Sequence, residues 1–302
     1  MSRNLEPHTS CVLLFGRSFG EAFRLHFRLL LSRLATHGTR IYFFEPFYEY
    51  VDGWIDEKIE ITGTFSSPAD IPADADVMLS IGGDGTFLEA VSYVRDTGIP
   101  VAGINSGRLG FLADIAQEEI SKALDSILHG LYKVEERTLL ELKSDQNLFG
   151  EFSFALNEIT VHKRDDSSMI KIHAYLNDQF LNTYWADGLI ISTPTGSTAY
   201  SLSVGGPIVL PGIRDFIVAP IAPHNLTVRP LVFPDDMELK LRMEGRSGKI
   251  LVSLDSRSVV VEAGLELRIS RAPFKVLTIR LNDHSFYNTL RSKLMWGVDR
   301  RN

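Results

Sequence analysis

Cysteine is nearly missing from this chain. The 302 residues include one, Cys11, so no internal disulfide can form, and no Cys/His cluster offers a structural zinc site. Both absences fit a reducing cytoplasm. Basic charge is also short: 31 Lys and Arg against 38 Asp and Glu leave a formal net charge of -7. That balance argues against nonspecific nucleic-acid binding, which usually shows a basic excess. An anionic ligand would have to be held by local donors and a metal ion, not by the overall field. No stretch reaches the roughly 18 to 20 apolar residues of a membrane span. Met1–Ser10 carries Arg3, Glu6 and His8 without an apolar core, so it reads as no secretory signal. Internal repeats and low-complexity tracts are absent too. What remains is a chain long enough for two domains, with 44% hydrophobic residues to fill their cores.

The stretch around which the rest is organised is Ser80–Leu88, S-I-G-G-D-G-T-F-L. Asp76–Ile81 before it has strand length, and Thr86–Val91 after it has apolar residues at helical spacing. A buried strand therefore feeds a turn of Gly82, Gly83, Asp84 and Gly85, which feeds a helix. Glycines admit unusual backbone angles and leave no Cβ to block an incoming group. Free N–H groups at the helix start favour an anion. Asp84 inside such a cradle suits phosphoryl transfer, where a base or metal-facing group stands beside phosphate. The plainer alternative is a tight strand-to-helix turn with Asp84 capping the helix.

The first part of the chain alternates strand and helix. Ser10–Phe15 and Arg40–Phe44 read as strands around a helix at Glu21–Leu34, and Ile99–Ile104 is a further strand. This predicts a parallel, Rossmann-like sheet with right-handed crossovers. Tyr48–Phe65 has no clean period. Asn105–Phe111 forms a second glycine-containing turn, expected at the same carboxyl edge, where open α/β sheets bind ligands. Gln117–His129 reads as a helix. From about Tyr132 short alternating segments take over: Thr138–Leu142, Ser153–Val161, Met169–Leu176, Phe180–Trp185, Leu189–Ser192, Phe216–Pro220, Glu238–Met243, Ile250–Leu254, Ser258–Val261, Leu265–Ile269 and Val276–Leu281. Turn signals such as Asn177-Asp178 and Gly245–Gly248 separate several of them. The spacing predicts a β-sandwich-like domain. His284–Trp296 reads as a helix returning to the first domain. The expected division is residues 1–131 with the C-terminal helix 283–302, and residues 132–282.

Trp185–Pro211 interrupts the strand pattern. Thr193–Ser197 is a turn dense in hydroxyls, Thr198–Ser203 can start a helix, and Gly205-Gly206-Pro207 ends it. Asp187, Thr195, Ser197, Thr198, Tyr200, Ser201 and Ser203 supply donors and acceptors suited to a nucleoside; a capped short helix between strands is the plainer alternative. Asn157-Glu158 stands inside an otherwise apolar strand, Phe152–Val161, and a buried polar pair needs partners. An edge-strand pair would be the structural reading.

Gly82–Thr86 is similar to the Gly-Gly-Asp-Gly-Thr signature shared by NAD kinases, diacylglycerol and sphingosine kinases and, with Ser last, phosphofructokinases. Asn105–Phe111, Leu156–Glu158, Asp187–Pro207 (D-G-L-I-I-S-T-P-T-G-S-T-A-Y-S-L-S-V-G-G-P) and Ala219–Val232 resemble NAD kinase specifically. The resemblance implies ATP:NAD 2′-phosphotransferase activity, an α/β domain followed by a β domain with the site in the crevice between them, and a homodimer or homotetramer. It implies Asp84 as the catalytic aspartate, Gly83 and Gly85 as phosphate contacts, and Phe111 near the adenine. Asn157 and Glu158 match the pair holding the adenosine of NAD. Asp187 matches a nicotinamide-side contact often made across a subunit boundary. Thr198, Ala199, Tyr200, Ser201, Leu202 and Ser203 match the segment lining the dinucleotide site, with Ala199 and Tyr200 against the nucleoside. A Mg²⁺ ion held by ATP phosphates and water is implied, since phosphoryl transfer depends on charge neutralisation and Mg²⁺ takes few protein ligands. Two positions depart from the family: Trp185 where a basic residue is common, and Arg257 where Gln is. They bear on nicotinamide-side charge pairing and on the choice between NAD and NADH. A lipid kinase with the same turn would need an apolar acceptor pocket, and Asp187–Ser203 is too polar. A non-catalytic dinucleotide sensor would have no need of Asp84.

Overall fold

The computed structural model describes residues 9–107, 109–164, 169–245 and 248–296. Arg108, the turn residues Arg246 and Ser247, most of the N-terminal stretch and the end of the tail 283–302 lie outside the described residues. The chain divides into two compact units, Met1–Glu136 with Val276–Asn302, and Arg137–Lys275.

The first unit holds strands β1 (Cys11–Gly16), β2 (Arg40–Phe44), β3 (Gly63–Phe65), β4 (Val77–Gly82) and β5 (Val101–Asn105), with helices α1 (Arg24–Thr36), α2 (Glu45–Val51), α3 (Asp84–Val94) and α4 (Ile120–Leu128). The strands pair in parallel in the order β3-β2-β1-β4-β5. β1 and β4 are buried along their whole length, the unbroken apolar run expected when helices cover both faces of a parallel sheet. Phe15, Phe27, Phe43, Phe47, Phe65 and Phe87 fill the core. Strand order reverses beside β1, so the loops after β1 and β4 flank the point where such sheets bind ligands. The stretch without a clear period resolves into α2, a 3₁₀ turn at Asp52–Trp54 and the short strand β3.

The second unit is built from β6 (Tyr132–Lys143) from Arg137 on, β7 (Phe154–Ala155), β8 (Glu158–Lys163), β9 (Ile170–Leu176), β10 (Gln179–Ala186), β11 (Gly188–Ser192), one-turn helix α5 (Tyr200–Ser203), β12 (Asp215–Ile221), β13 (Leu231–Pro234), β14 (Leu239–Glu244), β15 (Lys249–Leu254), β16 (Arg257–Glu262) and β17 (Glu266–Leu281) as far as Lys275. One antiparallel sheet runs β13-β12-β11-β8-β15-β16. The other runs β10-β9-β14 and the start of β17. Their facing residues, among them Ile159, Leu189, Val218 and Val252 from the first and Ile172, Tyr184, Leu241 and Leu267 from the second, share one buried cluster. This is the sandwich-like packing the sequence predicts.

Three local expectations need correction. Leu265–Ile269 and Val276–Leu281 belong to one strand, β17, and not two; Pro273 lies between the residues paired with β14 and Thr278, which pairs with β5. Phe152–Val161 is not one strand: β7 ends at Ala155 and β8 starts at Glu158, with Leu156-Asn157 breaking the run. Leu231–Pro234, overlooked because Pro234 reads as a turn, is the edge strand β13, a position that tolerates proline. After β17 the chain closes with α6 (Phe286–Leu294), capped by Ser285, whose side chain accepts from the Asn288 N–H at 3.2 Å.

Candidate functional site

In the first unit β4 delivers Gly82–Gly85 to the carboxyl edge of the sheet. A Cβ on Gly82 would lie 2.3 Å from Thr86 Oγ1, so the turn closes too tightly for any side chain there. At Gly83 and Gly85 a Cβ would meet nothing within 4 Å, so these backbones have an open side, next to the first amides of α3. Asp84 opens the helix but points away from its own amides. Its carboxylate accepts the N–H groups of Phe111 at 2.9 Å, Leu112 at 3.0 Å and Ala113 at 2.9 Å. Gly110 permits this: a Cβ there would come 1.8 Å from Asp84 Oδ1. The two glycine-containing turns of the sequence are thereby tied together, and Ser106 N–H donates to the Gly82 carbonyl at 3.1 Å. Three of the roughly four lone-pair sites of Asp84 are taken, which leaves one for a hydroxyl. Phe111 lies beside Asp84, with Phe286 of α6 at 6.4 Å between ring centroids and Lys293 Nζ 5.8 Å over its ring.

In the second unit the structure brings Asn157-Glu158 together with the hydroxyl-rich segment. Thr193 N–H donates to the Asn157 carbonyl at 2.9 Å, and Thr193 Oγ1 to the Leu156 carbonyl at 2.6 Å. Gly196 packs so closely that a Cβ would lie 2.1 Å from the Asn157 carbonyl oxygen. The predicted single helix is two pieces, a 3₁₀ turn at Thr195–Thr198 and α5, broken at Ala199. Several hydroxyls are spent locally: Ser197 Oγ donates to the Pro194 carbonyl at 2.7 Å and accepts from Val209 N–H at 3.0 Å, and Thr198 Oγ1 turns back to the Thr195 carbonyl at 3.3 Å. Ser201 Oγ and Glu158 Oε2 are different, being buried with no hydrogen-bond partner. On α5 Leu202 is half-buried, and Tyr200 and Ser203 are exposed. Burial pushes the Glu158 carboxyl up to about 8, and the nearby Asp255 carboxylate pushes the same way, against the Tyr200 N–H.

Asp187 stands elsewhere. Glu158 pairs with Ser192, whereas Asp187 lies at the other end of β11, its carboxylate 2.8 Å from Lys163 Nζ. Five residues of strand separate the two positions, about 17 Å. Near Asp187, Trp185 is half exposed, with Lys171 Nζ 5.2 Å over its ring and His224 at 6.1 Å. A cavity of about 590 Å³ opens there, lined among others by Met169, Lys171, Trp185, His224 and Glu244. Lys163, Asp255 and the contacts of Arg257 are long-range partners that sequence reasoning missed. For Asp255 and Arg257, the short Asp255-Ser256 break between two strand runs was a sign that could have marked the hairpin tip; nothing in the sequence marked Lys163.

The first unit thus carries a glycine turn with an open backbone beside a fixed carboxylate, and the second a buried group of hydroxyls and a carboxyl; each by itself is a feature found in nucleotide-dependent phosphotransferases. The family comparison makes this specific. Residues 56–132 match the model of the ATP-NAD kinase N-terminal domain and residues 156–281 that of the ATP-NAD kinase C-terminal domain. An NAD kinase from Cytophaga hutchinsonii is 46% identical over 289 residues, 96% of this chain and 99% of the relative. One from Bacteroides fragilis is 43% identical over 95% of this chain and 98% of the relative. The chain belongs to the NAD kinase family. Yeast NADH kinase, solved with NADH, has the same fold, with a TM-score of 0.85 at 23% identity over 97% of this chain and 90% of that one. An NAD kinase from Archaeoglobus fulgidus, solved with ATP, matches with a TM-score of 0.73 at 23% identity over 94% and 98%.

Proposed function

We propose that this chain transfers the γ-phosphate of ATP to the 2′-hydroxyl of the adenosine ribose of NAD, giving NADP. The observation that carries the reading is the Asp84 carboxylate, held by three backbone N–H groups with one lone-pair site free, beside the open glycine backbone. A ribose hydroxyl is a weak nucleophile until it is aligned with the phosphate and its proton has somewhere to go. Asp84 accepts that proton. The amides of Gly83 and Gly85 contact phosphate oxygens, and Phe111 packs on the adenine. Asn157 and Glu158 hold the adenosine of the acceptor, with Thr198, Ala199, Tyr200, Ser201, Leu202 and Ser203 around it. Among the described residues no group of three or more His, Cys, Asp or Glu could hold a metal ion. Asp84 has three bonds already. A Mg²⁺ ion carried by ATP phosphates and water needs no such group, and its charge would offset that of the phosphates when bound.

Asp187, about 17 Å along the strand from Glu158, serves the nicotinamide end from a second copy of the chain. Exposed Phe180, Trp185 and Val260 on the second unit agree with self-association as a homodimer or homotetramer. No helix among the described residues is long and apolar enough to cross a membrane. The lone, buried Cys11 is compatible with a reducing, cytoplasmic location. An assay coupled to an NADP-specific dehydrogenase, with NAD and ATP supplied, tests the activity: NADP should accumulate only when both are present. A protein that binds NAD without forming NADP would be a sensor instead.

A further inference from the structure

The acceptor pair is held by a second carboxylate that works much as Asp84 does. β15 and β16 form a hairpin in which Leu254 pairs with Arg257, so Asp255 and Ser256 are the tip. Asp255 has φ 51°, a left-handed conformation that costs a non-glycine residue energy. Its carboxylate accepts the N–H groups of Leu156 at 2.9 Å, Asn157 at 2.8 Å and Glu158 at 3.1 Å. Its own N–H donates to the Glu158 carbonyl at 3.0 Å. Two residues on, the Arg257 guanidinium donates to the carbonyls of Phe152 and Phe154, both at 2.5 Å, and lies 5.0 Å over the Phe152 ring. One hairpin tip thus grips the 152–158 segment by both backbone polarities. The segment needs it, because Leu156-Asn157 falls between strands and unpaired backbone groups are costly.

We propose that Asp255 and Arg257 are positioning residues for acceptor recognition, fixing the backbone at 156–158 so that the Asn157 amide and the Glu158 carboxyl meet the nucleoside in one set geometry. This rests on the NAD kinase reading and concerns the NAD half of that site alone. Glu158 Oε2, buried and unpartnered, is the atom the arrangement leaves for the ligand. The charge state follows from the neighbours. Glu158 is faced by the Asp255 carboxylate from the hairpin and by the Tyr200 N–H from α5, and Arg257 stands beside Asp255. Two close carboxylates do not readily both ionise. Burial raises the Asp255 carboxyl as well, but three N–H donors and the Arg257 guanidinium pull it back, whereas Glu158 has the Tyr200 N–H alone; the proton is therefore assigned to Glu158, and a protonated Glu158 offers the nucleoside a donor O–H. An arginine can satisfy two carbonyls at once, which a lysine cannot do with the same geometry.

The test is steady-state kinetics of Arg257→Lys and Asp255→Asn, measuring kcat and the KM for NAD and for ATP separately across pH, with thermal melting alongside. Wild-type turnover comes first; if wild type makes no NADP, the proposed activity fails before this inference is reached. With active wild type, Arg257→Lys should raise KM for NAD roughly tenfold, the scale of losing one or two hydrogen bonds to a charged group. Its KM for ATP and its kcat should change by less than about twofold. Wild-type KM for NAD should rise as pH passes about 8, where Glu158 loses its proton. Asp255→Asn removes the neighbouring charge, so that rise should move to lower pH. If Asp255→Asn does not fold, the Arg257→Lys comparison decides alone. A lower melting temperature with both KM values unchanged would overturn the proposal, as would equal rises in both KM values.

Discussion

At the residue scale, one substitution separates the proposed base role of Asp84 from its hold on the Phe111–Ala113 loop. Asp84→Asn keeps the shape but turns an oxygen into an NH₂ facing backbone N–H groups. A general base is worth about two orders of magnitude or more in kcat, so kcat should fall at least that far. Losing bonds to the Phe111–Ala113 amides should also cost about 1–3 kcal/mol of stability. A stability loss with near wild-type kcat would reduce Asp84 to an anchor for its loop. Gly110→Ala separates the tasks from the other side. Its Cβ would lie 1.8 Å from Asp84 Oδ1, so the intact carboxylate must move. A misplacement near 1 Å can cost about 100-fold, and single-turnover kinetics should show a large drop in the chemical step. Unchanged turnover would mean that the fixed carboxylate position is irrelevant to catalysis. Asp84, Asn157 and Glu158 were legible because each is an acidic or polar residue where glycine or apolar neighbours make it conspicuous. Asp255 was not, since its partners Leu156 to Glu158 lie 97 to 99 residues away and only folding joins them.

At the element scale, α6 and its lead-in hold the loop that Asp84 grips. His284 Nδ1 lies 3.5 Å from Asp114 and its Nε2 3.5 Å from Glu119, and Asp114 follows Ala113 directly. The hydrogen bond that the His284 ring donates to the Asp114 carboxylate raises the His284 pKa above its ordinary 6.5, with Glu119 and Asp283 adding to it and burial opposing. Folded His284 therefore keeps its proton where unfolded His284 would lose it. The stabilisation is fully present below about 6.5 and disappears as pH rises through the folded value. Melting temperature should fall over that window in wild type and much less in His284→Gln; identical curves would remove His284 from the contact. Elements themselves read well from sequence where the period was long. Ends and breaks did not: β17 hides Pro273 inside one strand, and Leu156-Asn157 breaks an apolar run for reasons set by the distant hairpin tip.

At the scale of the whole molecule, the position of Asp187 makes assembly testable. Chains carrying Asp84→Asn and chains carrying Asp187→Ala should each be inactive. Mixed under subunit exchange, a mixed dimer would contain one site with Asp84 from one chain and Asp187 from the other, so part of the activity should return. Absence of recovery despite demonstrated exchange would mean that both residues serve within one chain. The two kinds of architecture were legible from the change in pattern near Tyr132, because parallel and antiparallel sheets impose different hydrophobic periods. Self-association of the kind proposed would leave a much fainter mark, scattered exposed apolar residues such as Trp185 and Val260.

The activity itself is tested most directly by following the phosphoryl group. With γ-³²P-labelled ATP and NAD as the only substrates, the label should appear as a monoester on the 2′-oxygen of the adenosine ribose, in step with NADP formation. Label found only in free phosphate, on the 3′-oxygen, or not transferred at all would contradict the assignment.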